Sequence, residues 1–135
     1  VASAPSGTTA RLVDPAGGHG RAHPEAELAT VRAAGAVGTV MVLSSGSTYP
    51  LEEVAQASTG PIWFQQYLYR DRELSQRMAH RAQEAGFSAI CVTLDSTVRA
   101  KRERNIRNDY SSPTSRNCRN MPGVSVLMPH AGSTA

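Results

Sequence analysis

The sequence predicts an α/β fold, a parallel sheet whose strands alternate with outer helices. Three observations predict it. Four short apolar runs (Leu12-Val13, Gly38–Leu43, Pro61–Tyr69 and Phe87–Leu94) are separated by stretches of helical length, and crossovers of that length join parallel strands. Each run exits into small or polar residues: Gly17 and Gly18, Ser44 and Ser45, Gln65 and Tyr67, Thr93 and Asp95. Such residues at the carboxyl edge of a parallel sheet are where α/β folds place ligands. The last run, Ala89-Ile90-Cys91-Val92, passes in a few residues into a cationic segment holding Arg99, Lys101, Arg102, Arg104 and Arg107 against Glu103 alone. A strand followed by that charge reads as the floor of an anion-accepting pocket.

Residues 1–10 are rich in Ser, Thr, Gly and Pro and read as a flexible tail. Leu12-Val13 reads as a short strand, and the small residues of Pro15–Gly20 after it read either as a flexible turn, which composition favours, or as a ligand-hugging strand end. His23-Pro24-Glu25 opens a helix, with Glu25 and Glu27 suiting its positive end. Leu28, Val31 and Gly35 share one face, and Gly35 is read as the helix stop. His23 is read as a capping or packing residue. After the strand at Gly38–Leu43, Tyr49-Pro50 introduces a helix at Leu51–Gln56.

In Pro61–Tyr69, Gln65 and Tyr67 fall on one face under the two-residue period. Asp71–Ala85 is the clearest helix, with Leu74, Met78, Ala82 and Ala85 on one stripe, Asp71 as cap and Gly86 as stop. That stripe reads as core packing. Phe87–Leu94 reads as a buried strand, which makes Cys91 a small core residue. Residues 109–135 read as a long loop or a disordered end, with one apolar patch at Val124–Met128.

At 135 residues the chain suits one domain. Its 14 Lys+Arg against 11 Asp+Glu give a net charge of only +3. The basic segment lacks interleaved aromatics, so no nucleic acid is expected. Two cysteines, Cys91 and Cys118, make neither a disulfide framework nor a metal site, and they fit a cytoplasmic protein. No apolar run reaches the ~18–20 residues of a membrane span, and no signal-peptide pattern opens the chain. Starting at Val1 without a methionine, the sequence is expected to be a piece of something longer.

Several segments now match one family in order and spacing. These are Pro15–His19 with Ala22-His23-Pro24-Glu25, Leu43-Ser44-Ser45, Trp63-Phe64-Gln65 with Tyr67, Thr93 with Asp95-Ser96-Thr97-Val98, and Arg102 with Arg107-Asn108. Together they resemble the FMN-dependent 2-hydroxy-acid oxidases and dehydrogenases, which include glycolate oxidase, lactate oxidase and mandelate dehydrogenase. GGHGRAHPE and LDSTVRAKRER look closest to the lactate-oxidase branch. The resemblance runs from about Leu12 to Asn108. It implies a partial (β/α)8 TIM barrel over residues 11–108, about the first four βα units, since a whole barrel takes ~250 residues.

It also implies roles. Ala16 and Gly17 match backbone beside the reactive edge of FMN, and Ser44, Gln65 and Thr93 match hydrogen-bond partners of its ring. Tyr67 matches a catalytic, substrate-contacting tyrosine, and Arg102 matches the arginine that grips the substrate carboxylate. Asp95 matches the carboxylate that orients a catalytic histidine. That histidine, its companion arginine, a strand-five lysine and the phosphate-binding strands are expected beyond Ala135. None of His19, His23, His80 or His130 stands at the catalytic position.

Two departures stand out: Gln66 replaces an aliphatic residue facing the helices, and Gly46 replaces a bulkier residue near the substrate. The expected function is the amino-terminal portion of an enzyme oxidising a small 2-hydroxy acid such as lactate or glycolate, inactive alone. The alternatives are a non-catalytic flavin-binding half-barrel that pairs with a second half-barrel or copy, and an inert remnant.

Overall fold

The computed structural model describes residues 11–69, 71–94 and 103–110. Four strands and four helices alternate: β1 (Leu12–Val13), α1 (Ala26–Ala36), β2 (Val40–Ser44), α2 (Leu51–Ala57), β3 (Ile62–Tyr67), α3 (Arg72–Glu84), β4 (Ala89–Thr93) and α4 (Glu103–Arg107). A short 3-10 turn at His19–Arg21 stands between β1 and α1. The strands form one parallel sheet in the order β1-β2-β3-β4. Strand order without reversal has no topological switch point, so it is the wall of a barrel and not a doubly wound sheet.

Period two divides the strands between two faces. Met41, Leu43, Ile62 and Phe64 join Val31, Ala34, Leu51, Val54, Met78, Ala82 and Phe87 in one core between sheet and helices. Phe64 is fully buried and meets Phe87 edge to face, with ring centroids 5.7 Å apart. The alternate residues, including Ser44 and Gln65, face the other side, which is the lumen side of a barrel wall.

The helix ends follow local chemistry. The Asp71 carboxylate accepts a hydrogen bond from the Leu74 N–H at 3.0 Å, capping α3, and Gly86 after it has φ +88°. His23 Nδ1 accepts from the Glu25 N–H at 3.2 Å in the turn before α1, whose N-cap residue is Glu25 and carries no side-chain cap. Gly35 does not stop α1, which runs on to Ala36. A Cβ at Gly35 would stand 2.1 Å from Thr59 Oγ1, so that residue is small because α1 approaches the turn before β3. Gly38 takes the left-handed conformation instead, with φ +66°.

Three further expectations change. Pro15–Gly20 is a tied turn, held by the Gly18 N–H donating to Gly46 O at 3.0 Å. The end of the cationic segment is helical, with Arg107 and Glu103 paired across one turn of α4. β4 is only half-buried, since Ile90 and Val92 are 40% and 49% exposed and Cys91 is intermediate. In register with Phe64 and Gln66, Ile90 and Val92 lie on the helix-facing side of the sheet, on its edge strand. The expected tail over residues 1–10, Cys118 and the Val124–Met128 patch lie outside the described residues.

Candidate active site

Parallel register brings the strand tips together. Ser44 stands opposite Gln65, Gln65 opposite Cys91, and Tyr67 opposite Thr93. The side chains then link across the sheet. Ser44 Oγ donates to Gln65 Oε1 at 3.0 Å, and Gln65 Nε2 donates to Thr93 Oγ1 in a short bond. Ser44 and Gln65 are buried, at 5% and 4% exposure. The result is a hydrogen-bonded row over three adjacent strand ends, fixed by backbone pairing and not by a loop.

The turn after β1 closes on one end of this row. The Gly46 N–H donates to Ser44 Oγ at 3.1 Å. A Cβ on Gly17 would lie 3.4 Å from Gly46 O and 3.8 Å from Ser44 Oγ. Gly17 therefore brings bare backbone beside Ser44, with Ala16 next to it in an exposed position. At the other end Tyr67 is 44% exposed at the tip of β3.

Among the expected site residues, the structure thus brings Gly17, Ser44, Gln65 and Thr93 together and sets Ala16 and Tyr67 at the margins. Asp95 and Arg102 lie outside the described residues.

The donor inventory suits a flat heteroaromatic edge. Gln65 spends its carbonyl and one amide hydrogen inside the row, leaving a second N–H among the described contacts. Thr93 Oγ1 accepts from Gln65 and keeps its own O–H to donate. Together with the backbone at Gly17, these are the groups that the carbonyls and nitrogens of an isoalloxazine ring require, so the residues present fit the ring of FMN. Two surface clefts of about 370 and 470 Å³ lie elsewhere, between α2 and α3 and along α1. The row is one wall of a site. Among the described residues no group of His, Cys, Asp and Glu could hold a metal ion, and no helix is long and apolar enough to cross a membrane.

One residue escaped the sequence reading. Glu27 is fully buried, and its carboxylate accepts from the His19 N–H at 3.1 Å, the Thr48 N–H at 2.8 Å and the Tyr49 N–H at 3.4 Å. A signal was present in the sequence, since Glu27 precedes Val31 and Ala34 at spacings that put all three on the core face of α1.

The model of the family described as FMN-dependent dehydrogenase matches residues 8–134. Glycolate oxidase 3 of Oryza sativa subsp. indica is 45% identical over 102 residues, covering 76% of this chain and 28% of its own length. L-lactate oxidase of Nostoc sp. is 44% identical over 115 residues, covering 82% of this chain and 32% of its own. The chain therefore spans about a third of the length of these relatives.

Among solved structures, a soluble mutant of the membrane-associated (S)-mandelate dehydrogenase from Pseudomonas putida superposes with a TM-score of 0.79. It is 33% identical and covers 85% of this chain and 33% of that one. A mandelate oxidase mutant with the C4a-OH-FMN adduct superposes with a TM-score of 0.77 at 34% identity, covering 82% of this chain and 33% of its own. The sheet is thus part of a barrel built by a whole family, and by sequence and fold the chain belongs to the FMN-dependent dehydrogenases, whose cofactor is FMN.

Proposed function

We propose that this chain forms the flavin-ring side of an FMN-dependent 2-hydroxy-acid oxidoreductase, which oxidises a small 2-hydroxy acid such as lactate or glycolate to the 2-oxo acid. The observation that carries the reading is the Ser44–Gln65–Thr93 row beside the bare backbone of Gly17. Bound FMN would supply the hydride acceptor. Ser44, Gln65 and Thr93 hold and orient its ring, and Ala16 and Gly17 pack beside the reacting edge. Tyr67 reaches the substrate from the tip of β3. Arg102 grips the substrate carboxylate as a planar fork, and Asp95 orients the base that takes the hydroxyl proton. No histidine of this chain matches that base, so the 135-residue chain alone binds the ring weakly and does not turn over. The cysteine usage supports a cytoplasmic setting.

The test uses lumiflavin, which carries the ring without the phosphate, in a fluorescence titration of the purified chain. Gln65→Leu and Thr93→Val are expected to weaken binding at least about tenfold, the loss of one or two buried hydrogen bonds. Unchanged affinity in both variants overturns the reading. FMN-dependent lactate or glycolate oxidation by this chain alone overturns the assignment of the base to another segment.

A second reading, a non-catalytic half-barrel that pairs with another half-barrel or with a second copy, is favoured by one observation. The outer face of β4 exposes Ile90 and Val92 on an edge strand, an arrangement that invites strand pairing. A defined dimer by light scattering supports it, and a monomer at micromolar concentration removes it.

A further inference from the structure

Glu27 is the least ordinary group in the molecule outside the row. It is an acidic side chain with no exposed surface, and among the described residues its partners are all backbone N–H groups. The three N–H groups come from two different turns, His19 from the turn after β1 and Thr48 and Tyr49 from the turn after β2. Those are the turns that meet at the rim. The Gly18 N–H donates to Gly46 O at 3.0 Å, and Gly17 lies against Gly46 and Ser44. A second tie runs parallel to the carboxylate, since the Gly20 N–H donates to Thr48 Oγ1 at 3.0 Å. A Cβ on Gly20 would come within 2.7 Å of Thr48 Cγ2, so the two turns are in contact and not merely bridged.

A residue needed only to fill the core at this place on α1 would be apolar, like Val31 and Ala34 on the same face. A carboxylate is suited to a different task. It accepts several converging N–H groups at once, and it sits in the first turn of an eleven-residue helix, where the backbone dipole favours negative charge.

We infer that Glu27 is a positioning residue: it clamps the turns after β1 and β2 to each other and so sets the distance of the Gly17 backbone from Ser44 at the flavin edge. Its action on flavin rests on the functional reading above, whereas its action on the turns does not.

The experiment follows residue-resolved amide exchange and lumiflavin affinity in the full chain for Glu27→Met, Glu27→Gln, Glu27→Asp and the core control Val54→Ala. Methionine keeps the length and loses every acceptor. Glutamine keeps one oxygen, and in the native site one oxygen, Oε1, serves both the His19 and Thr48 N–H groups. Glu27→Met is expected to speed exchange at Gly18, His19 and Thr48 by at least about tenfold while Phe64 and Met78 keep their protection. It is also expected to weaken lumiflavin binding at least about tenfold, with Glu27→Gln restoring both within about threefold. Val54→Ala should instead spread its effect over the core.

Protection at Gly18 and Thr48 equal to the parent chain in Glu27→Met overturns the inference, as does failure of glutamine to rescue. Global loss of protection in both Glu27→Met and Glu27→Asp also overturns it, because Glu27 would then hold the core and not the turns. Local release with lumiflavin affinity kept, while Gln65→Leu still loses it, overturns the link to the site. Absence of lumiflavin binding in the parent chain overturns the functional reading instead, and amide exchange alone then decides the clamp.

Discussion

Replacing Gln66 with leucine should stabilise the chain. Gln66 is 4% exposed on the helix-facing side of β3, and its Nε2 donates to the Ser75 carbonyl at 2.7 Å. Its Oε1 is buried without a hydrogen-bond partner. An unsatisfied buried acceptor costs about 1–3 kcal/mol, whereas a made hydrogen bond contributes about 0.5–1.5 kcal/mol net. Leucine removes both terms. The Ser75 carbonyl is inside α3 and keeps the helical N–H four residues on, so losing the amide leaves no orphan there. Leucine also adds apolar surface to a site bordered by the core. The balance is about 1 kcal/mol in favour of Gln66→Leu, equivalent to a rise of about 4 °C in Tm for a 135-residue chain. Urea unfolding followed by circular dichroism should show a higher midpoint at unchanged slope. A lower midpoint would refute the reasoning, because the amide would then be worth more than its orphaned oxygen costs. Gln66→Glu supplies the contrast, since it keeps the oxygen, loses the donor and adds charge, and it should lower the midpoint sharply.

Gly35→Ala should destabilise by about 1–2 kcal/mol: overpacking costs about 1–3 kcal/mol, and a helical alanine recovers about 0.5–1 kcal/mol of it. The new Cβ would stand 2.1 Å from Thr59 Oγ1 and 3.3 Å from the Gly60 nitrogen, so Thr59→Ala in the same chain should return most of the loss, which a double-mutant cycle measures. On the helical layer, the Arg81 guanidinium bonds both carboxylate oxygens of Glu52, at 2.7 and 2.8 Å, and holds that carboxyl below its ordinary range. A folded-state pKa that is depressed makes this contribution present above the unfolded value and lost as pH falls through the folded one. Arg81→Met should therefore flatten the fall of stability on acidification below the ordinary glutamate range. Parallel pH profiles of the unfolding midpoint for parent and variant would exclude the pair as a source of acid lability.

Much of the fold was legible because its determinants are local. Leu74, Met78, Ala82 and Ala85 mark α3 by spacing, and Asp71 and Gly86 bound it through chemistry confined to one turn. The strand tips were legible as polar exits, and their order required parallel pairing between neighbours. What escaped depends on residues far apart in the chain. Gly35 is small because of Thr59, and the pattern of α1 alone makes a small residue near a helix end look like a stop. Glu27 reads as a dipole-matched acid until its partners, 8, 21 and 22 residues away, are brought against it. β4 has the β-branched composition of a strand covered on both faces, yet composition records what a strand suits and not what covers it; Ile90 and Val92 are left half exposed. The end of the cationic segment hid a helical turn because its stabilising pair, Glu103 and Arg107, was counted as charge and not as spacing.

The way the row is built bears on how much function four strands of a barrel can retain. Ser44, Gln65 and Thr93 are joined through the sheet's own register, and the side chains link only across immediate neighbours. Such a row needs three adjacent strands and the core behind them, and it does not need the barrel to close. The row is therefore a property of β2, β3 and β4 with the core behind them, while the cationic residues read as the carboxylate grip follow β4 in the sequence. Weak recognition of a flavin ring should accordingly survive in this chain while turnover does not. If the folded chain bound no lumiflavin at all, the row would not be separable from the rest of the barrel, and this division of labour between neighbouring strands would be wrong.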